Sequence, residues 1–177
     1  MTAIVGIYCK DGIVIGSDSS ATFSAGNIPT IEQQFEKIQI IGERVIVAGT
    51  GCIGLGQRFI SIVQKAYEGK EFDKNSGLDI GRILARETIN NFSETRVQQN
   101  QYGALVAYPT GTKAHLCEFS VTDFQPELKN SKIWFVSMGS GQLITDPFLA
   151  FIHEVFWNNG VPTVNDGVFA VKWTLDH

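Results

Sequence analysis

Three side chains near the start of the sequence have the chemistry of an activated nucleophile. Thr2 follows Met1, Asp18 follows an apolar run, and Lys37 lies in a later strand-like run. A threonine hydroxyl can act as a nucleophile with its own α-amino group as the base, but only when the threonine is the first residue. Thr2 is a small residue that suits removal of Met1 by a methionine aminopeptidase, so we predict that the mature chain begins at Thr2.

The charge of Lys37 would tune this base. A free α-amine has a pKa of roughly 7.7 to 8.0, so it is already partly neutral at pH 7. A lysine ammonium within a few ångströms lowers that pKa further, and a carboxylate such as Asp18 can hold the ammonium in place. The sequence therefore predicts a hydroxyl, a neutral amine and a fixed positive charge at one site.

A hairpin is predicted to bring Thr2 and Asp18 together. Apolar runs at 3–9 and 13–17 flank the turn residues 10–12, and a three-residue loop would place Ile4 opposite Asp18. In this register Thr2 and Asp18 are diagonal neighbours, with Cβ atoms about 7 to 8 Å apart. The apolar side chains then share the opposite face: Ala3, Val5, Ile7, Cys9, Ile13 and Ile15.

The remaining pattern predicts an α+β fold. Strand-like runs lie at 35–41, 45–49, 104–108, 114–119 and 133–138. Apolar residues at helical spacing predict helices at 53–67 and 78–97, a third from Pro147 to 157, and a fourth that begins after an N-cap at Thr163. This order favours two sheets packed face to face between two helix layers, in one domain over 1–177.

Composition limits the classes of function. The chain has 177 residues, is 44% hydrophobic and carries a net charge of -4, and its scattered Lys and Arg residues indicate no nucleic-acid partner. Cys9, Cys52 and Cys117 are far apart in apolar runs, which predicts reduced core cysteines. The start lacks a basic n-region and no apolar run approaches the roughly 18 residues of a membrane span, so we predict a cytoplasmic protein without a membrane partner.

An ordered set of motifs resembles the proteasome β-type subunits, and in particular their bacterial, HslV-like, self-compartmentalising members. The set covers nearly the whole chain and consists of Thr2 after Met1, the segment Gly16–Ser17–Asp18–Ser19, Glu36–Lys37–Ile38, the Ala48–Gly49 turn before a helix, and Gly139–Ser140–Gly141 before the third helix. The fold that this resemblance implies is a four-layer αββα sandwich of the N-terminal nucleophile hydrolases. Each motif alone is common, whereas their order behind a threonine at position two is specific.

The resemblance implies a role for each matching residue. Thr2 would be the nucleophile, Lys37 would lower the pKa of its amine, Asp18 would orient Lys37, and Ser140 would bond near the Thr2 amine. The Gly49 N–H would stabilise the oxyanion, which suits a residue that the substrate must approach closely. Substrate contacts are implied at Thr22, Val47, Gly49 and Gly51, and an apolar Val47 would favour apolar substrates.

The resemblance also implies partners and a wider assembly. The partners are copies of the chain in stacked hexameric or heptameric rings, and the substrate is peptide or unfolded protein. No cofactor is implied. Whether an ATP-dependent unfoldase also takes part is left open. The third helix carries more large apolar side chains than one buried stripe requires, so it is predicted to contact the other ring. These side chains are Phe148, Phe151, Phe156 and Trp157. The family continues after its fourth helix with a supporting Asp and Ser and closing strands, which the 177 residues do not reach. Either the chain is truncated or the protein lacks those parts.

Other interpretations remain beside the peptidase. The fold could serve a catalytically silent ring subunit or a small-molecule amidohydrolase, Lys37 could be a solvent-face lysine, and Ser140 could simply cap a helix. His115 and His153 lie in apolar surroundings and are predicted to be structural, and Cys52 is predicted to pack in the core. No residues have metal-ligand spacing.

Overall fold

The computed structural model describes residues 2–25, 28–97, 101–157 and 160–176, and it describes their side chains except at 22–25, 28 and 29. The strands in these ranges are β1 (Ile4–Cys9), β2 (Gly12–Ser17), β3 (Ser20–Ala25), β4 (Ile28–Gln34), β5 (Ile38–Ile41), β6 (Val45–Gly51), β7 (Tyr102–Thr110), β8 (Lys113–Phe119), β9 (Pro126–Leu128) and β10 (Phe135–Met138). The helices are α1 (Ile53–Glu68), α2 (Glu71–Lys74), α3 (Gly77–Glu94), α4 (Gln142–Phe156) and α5 (Val164–Asp176).

Two sheets are packed between two helix layers. One sheet has five strands in the order β5-β6-β7-β8-β9, and the other has three in the order β10-β1-β2. The five-stranded sheet buries residues such as Val106 against Phe59 of α1, and the three-stranded sheet buries Ile7 against Leu149 of α4. A third apolar cluster, which includes Ile4 and Leu105, joins the inner faces of the sheets. The predicted α+β, four-layer αββα sandwich is confirmed.

The first hairpin turns more tightly than predicted. Cys9 pairs with Gly12, so the loop contains two residues rather than three, and Ile4 lies opposite Ser17 rather than Asp18. The predicted register is therefore wrong by one residue, which exchanges the faces of a strand.

That one-residue shift redistributes the apolar side chains. Ile13 and Ile15 share the face of Ile4 and pack between the sheets, whereas Val5 and Ile7 pack toward the outer helices. Both faces of β1 are buried and both faces of β2 are partly buried in this fold, so either register covers apolar groups. The hydrophobic pattern alone could not choose between them.

The predicted helices are present, with one displaced start. α4 begins at Gln142, and Pro147 lies inside the helix rather than at its first position. The start of α5 is as predicted, because the Thr163 hydroxyl accepts the N–H of Asp166 at 3.2 Å. Among the described helices, none is long and apolar enough to cross a membrane.

A polar hairpin, β3–β4, was not predicted from the sequence. Its strands pair antiparallel and form a two-stranded sheet next to the main layers. Its residues are mostly polar, so apolar periodicity does not reveal it. The Gly26-Asn27 dipeptide in the sequence is a hairpin signal that could have done so.

Candidate active site

An ion pair fixes Lys37 just before β5. The Lys37 Nζ lies 2.5 Å from Asp18 Oδ2, and only 5% of the lysine side chain is exposed. Asp18 also accepts the N–H groups of Ala3 at 2.7 Å and Ser20 at 3.0 Å. Burial alone would raise the pKa of Asp18, but the hydrogen bonds, first among them that from Lys37, lower it below its ordinary value. The carboxylate is therefore ionised at neutral pH and holds the ammonium in place.

A glycine turn between β10 and α4 holds the backbone of Thr2. The Thr2 N–H donates to Ser140 Oγ at 2.9 Å, and the Gly141 N–H donates to the Thr2 carbonyl at 2.9 Å. Gly139 has φ +96°, and a Cβ there would lie 2.4 Å from the Thr2 carbonyl oxygen. Glycine is required at 139 both for this backbone conformation and for the close approach.

Buried polar groups lie directly behind this turn. The Ser137 hydroxyl on β10 donates to Asp146 on α4, and Thr145 donates to the Ser137 Oγ at 2.8 Å. Ser137 is 1% exposed and Thr145 is 4% exposed. Asp146 also accepts the side-chain amide of Gln142 at 3.1 Å. This cluster connects the two elements that flank the turn, so it fixes the position of the turn that holds Thr2.

The backbone N–H of Gly49 points away from β7. The Cys52 N–H donates to the Gln101 carbonyl at 2.9 Å, so the backbone groups of Cys52 point toward the β7 side. Along an antiparallel strand every second residue points to the same neighbour, so Thr50 and Ala48 also bond toward β7. Gly49 lies three residues before Cys52, so its N–H points to the opposite edge. On that edge β5 begins at Ile38, opposite Ala48, and the ladder does not reach Gly49. The N–H can thus bond to a bound molecule.

One cavity collects these groups. It has a volume of about 330 Å³ and lies between the end of β6, the first two turns of α1 and the segment before β5. Its walls include Thr2, Lys37, Gly49 and Gly51. Ser140 contacts Thr2 from behind. The structure therefore brings together at one cavity a hydroxyl, an ammonium and an N–H that can bind an oxyanion.

A family model for the proteasome subunit matches residues 2–150 of the sequence. The chain belongs to the proteasome subunit family. Curated relatives are β subunits, so the predicted β-type membership is confirmed.

Two archaeal relatives illustrate the similarity. The proteasome subunit beta of Nanoarchaeum equitans is 29% identical over 114 residues, which cover 64% of this chain and 56% of the relative. The proteasome subunit beta of Archaeoglobus profundus is 33% identical over 87 residues, or 48% of this chain and 39% of the relative. The matches thus span about half or less of these relatives' length.

A solved structure supports the fold. Anbu (ancestral beta-subunit) from Yersinia bercovieri has a TM-score of 0.67 and 13% sequence identity to this chain. The similarity covers 85% of this proteasome-family chain and 65% of the other. At this identity, the likeness concerns the fold alone.

Two predicted substrate contacts differ in outcome. Val47 is 1% exposed and packs in the core beside α1, and it is not part of the cavity wall, so its predicted place there is wrong. Thr22 lies in β3, where it pairs with Glu32 of β4. The Phe35 N–H donates to the Ser19 carbonyl, so the backbone of Ser19 points toward the β4 side. Successive residues of a strand point to opposite neighbours, so the backbone groups of Thr22, three residues later, point to the edge of β3 that faces away from β4.

Gly51 is placed at the cavity by its backbone. Its φ is +107°, and an added Cβ would lie 2.2 Å from Gln101 O. A side chain at 51 would therefore be strained and would displace the neighbouring strand. The glycine keeps this edge of β6 open to the cavity.

Sequence reasoning misplaced one cavity residue and missed another. Cys52 is exposed and lines the cavity, so its predicted burial in the core is wrong, whereas Cys9 and Cys117 are buried as predicted. Tyr102 also lines the cavity, although its position at the start of a buried strand predicts only a core aromatic. No sequence signal distinguishes its hydroxyl from that of Tyr108.

His115 and His153 lie in structural settings, as predicted. His115 bonds to Thr110 Oγ1 at 2.7 Å, and burial together with the charge of Lys113 lowers its pKa. His153 stacks on Trp134 with ring centroids 5.0 Å apart. Among the described residues, no group of three or more His, Cys, Asp or Glu could hold a metal ion.

Proposed function

We propose that this chain is the threonine-peptidase subunit of a self-compartmentalising protease. The observation that carries the proposal is the convergence of Thr2, Lys37 and Gly49 on one cavity. The backbone of Thr2 is held from behind by Ser140 and Gly141. This arrangement supplies a nucleophile, a charge that tunes its base and a donor for the oxyanion.

The first step needs the free amine of Thr2. Removal of Met1, which lies outside the described residues, would convert the Thr2 amide nitrogen to an α-amine next to Ser140. The ammonium of Lys37 would favour the neutral amine at pH 7. As Thr2 Oγ1 attacks the carbonyl carbon of a peptide bond, the amine takes the hydroxyl proton.

The later steps return the proton and release the products. The carbonyl oxygen becomes an oxyanion that the Gly49 N–H stabilises. The C–N bond then breaks, the ammonium of Thr2 gives its proton to the leaving amine, and an ester remains on Thr2. Water attacks this ester with the amine again as base, which releases the acid product and restores the hydroxyl.

Two strand edges would align the substrate. The backbone of Thr22 on β3 and that of Gly49 and Gly51 on β6 face away from their neighbouring strands, by the alternation described above. An extended peptide between these edges would bond as an added strand. Its carbonyl would then reach Thr2 at the cavity.

We also propose that copies of the chain assemble into stacked hexameric or heptameric rings. α4 exposes Leu143 at 89%, Phe151 at 54% and Phe156 at 53%, which is apolar area suited to an interface. Phe148 and Trp157, predicted for the same surface, are instead partly buried in the core. A closed chamber admits unfolded chains, and an ATP-dependent unfoldase is the partner that would supply them.

Mass spectrometry and a fluorogenic peptide assay test the chemistry. We expect an intact mass without Met1, and loss of at least about 10³-fold in turnover in Thr2→Ala, because no other hydroxyl replaces the nucleophile. Thr2→Ser keeps a hydroxyl and serves as the matched control that retains measurable turnover. Peptide cleavage by protein that retains Met1 would contradict the mechanism.

Light scattering tests the assembly. We expect a complex of a dozen or more chains, and Phe151→Glu should break it into smaller species by placing a charge in the interface. Leu78→Glu is the matched control, because it also replaces an apolar side chain with an acidic one, at a 39% exposed position on α3. This variant should leave the complex intact. An active monomer would contradict the chamber and favour a small-molecule amidohydrolase.

A further inference from the structure

The phenol of Tyr102 is fixed in one orientation at the floor of the cavity. Tyr102 pairs with Gly51 at the start of β7 and is only 6% exposed. Its ring centroid lies 5.8 Å from that of Phe59, 6.3 Å from that of Phe92 and 6.2 Å from that of Phe124. Aromatic packing on three sides leaves the ring no alternative position, so the direction of its hydroxyl is set by the core.

The hydroxyl reaches the point where β6 meets α1. A Cβ added to Gly49 would lie 2.2 Å from the Tyr102 hydroxyl oxygen, and one added to Gly56 would lie 3.6 Å from it. Gly49 and Gly56 both line the cavity that contains Thr2. The phenol oxygen is therefore next to the proposed oxyanion donor and below the space that a substrate side chain would enter.

None of the described residues forms a hydrogen bond with this hydroxyl, and the buried side-chain polar atom that lacks a partner among them is Ser20 Oγ. The Tyr102 oxygen is therefore accessible from the cavity that the residue lines. Tyrosine hydroxyls in largely buried side chains ordinarily have a partner. Tyr108 on the same strand shows the usual case, since its hydroxyl donates to the Gly77 carbonyl at 2.7 Å. The Tyr102 hydroxyl is thus directed at whatever molecule fills the cavity.

The other walls indicate which side chain would fit. Gln39 and Gln57 are exposed amides at the rim, and Ile53 and Ile60 are partly buried aliphatic walls. Among the described residues that line the cavity, Lys37 is the one cation, and its ammonium is already bound by Asp18. An anionic side chain would thus lack a free cation, and a purely apolar one would cover an unpaired hydroxyl.

We propose that Tyr102 determines the specificity of the site by binding a side-chain carboxamide, that of glutamine, in the residue before the scissile bond. The phenol can donate to the amide oxygen and accept from the amide nitrogen, while the methylenes pack on the aliphatic walls. This inference rests on the proposed peptidase function. It replaces the apolar preference that Val47 would have implied.

Three peptides that differ only at that residue test the inference. They carry glutamine, methionine of similar length, or glutamate, and kcat/KM is measured on protein that begins at Thr2. We expect the wild type to prefer glutamine over methionine by about tenfold to a hundredfold, because methionine leaves the hydroxyl unpaired. Glutamate should be cleaved less well than glutamine.

Tyr102→Phe removes only the hydroxyl and keeps the ring, so the core remains packed. We expect the glutamine preference to disappear in this variant, with methionine cleaved as well as glutamine or better. Tyr108→Phe removes a buried hydroxyl on the same strand and should keep the wild-type preference. Cleavage of the peptides without a glutamine preference, or a preference that survives in Tyr102→Phe, would overturn this inference alone. Failure of the wild type to cleave any peptide would overturn the proposed function as well.

Discussion

The two sides of the cavity are built differently. On the threonine side, which comprises Thr2, Lys37 and the turn at 139–141, the polar groups are fixed by short contacts, as in the Lys37–Asp18 pair with a lysine only 5% exposed. The helix side comprises the end of β6, the first turns of α1 and Tyr102. On this side, the side chains of Cys52 and Gln57 are exposed. This difference suggests that the threonine side sets the rate of the reaction and the helix side selects the substrate.

Lys37→Ala, on the threonine side, should give the largest decrease in kcat. Loss of the ammonium would leave the Thr2 amine protonated and Asp18 unpaired, so we expect kcat to fall by about 10³-fold. Lys37→Arg should not restore it, because a planar guanidinium cannot occupy the same point. The measurement is kcat for peptide cleavage, corrected for the folded fraction.

Lys129 offers a matched control for that experiment. It is also a buried lysine, 7% exposed, with Nζ 2.5 Å from Glu118 Oε2, and it does not line the cavity. Lys129→Ala should lower stability yet keep the kcat of folded molecules. Equal losses of kcat in both variants would show that Lys37 acts only through folding.

Gly49→Ala should give the next largest effect, and it is the exception on the helix side. The new methyl would lie 2.2 Å from the Tyr102 hydroxyl and 2.7 Å from its Cζ, so β6 must shift and misdirect the N–H. We expect kcat to fall by about 10²-fold. In a Tyr102→Ala background, Gly49→Ala should lower kcat much less than it does in the wild type. An equal loss in both backgrounds would show that the collision with Tyr102 is not the cause.

Ser137→Ala tests whether the buried cluster positions Thr2. The change removes one hydrogen bond from Asp146, which keeps that from Gln142, and one from Thr145, which keeps that to the Gly141 carbonyl. We therefore expect a loss of about 1–3 kcal/mol in the free energy of unfolding. We also expect roughly a tenfold decrease in kcat of the folded protein. Thr88→Val removes a comparable buried hydroxyl, which bonds to Leu84 O at 2.6 Å in the other helix layer. An unchanged kcat in Ser137→Ala would limit the cluster to stability.

The ion pair on the threonine side should make stability depend on pH. Because the pKa of Asp18 is lowered in the folded state, its contribution is fully present well above the ordinary value of 3.8. The contribution is lost as the pH falls through the lowered pKa. The difference in unfolding free energy between wild type and Asp18→Asn, from urea titrations at pH 7 to pH 2, should therefore shrink toward acid. A difference that stays constant over this range would contradict the pairing.

Thiol labelling should give the smallest effect. We expect iodoacetamide to modify Cys52 alone in the folded protein, because burial raises the pKa of Cys9 and of Cys117 to about 12 each. Peptide mass spectrometry after brief labelling at pH 8 would locate the modified residue. Rapid modification of Cys117 would show that the sheet opens at that position.

The site illustrates how far residue patterns reach. The pairing of Lys37 with Asp18 and the contact of Ser140 with Thr2 were predicted from the motif order, and the structure contains both contacts. The catalytic roles of these residues stay predictions. Val47 was wrongly predicted to line the cavity, because its position in β6 does not show that Tyr102 of the neighbouring strand lines the cavity instead.

The sequence by itself determined the local elements and the family. Amphipathic periodicity predicted α1 and α3, Thr163 predicted the start of α5, and the ordered motifs predicted the four-layer sandwich. These features depend on residues that are close in the chain or on a pattern that extends over the whole chain.

Only the tertiary structure decided the register of β1 with β2 and the makeup of the cavity. Both faces of that hairpin are at least partly buried, so its apolar pattern fits more than one register. The loop is instead held where Asp11 accepts the N–H of Val164 at 2.8 Å. Likewise, Cys52 is exposed and Tyr102 reaches the cavity because β6, β7 and α1 meet there. Contacts between segments distant in sequence carry this information, and local propensity does not encode them.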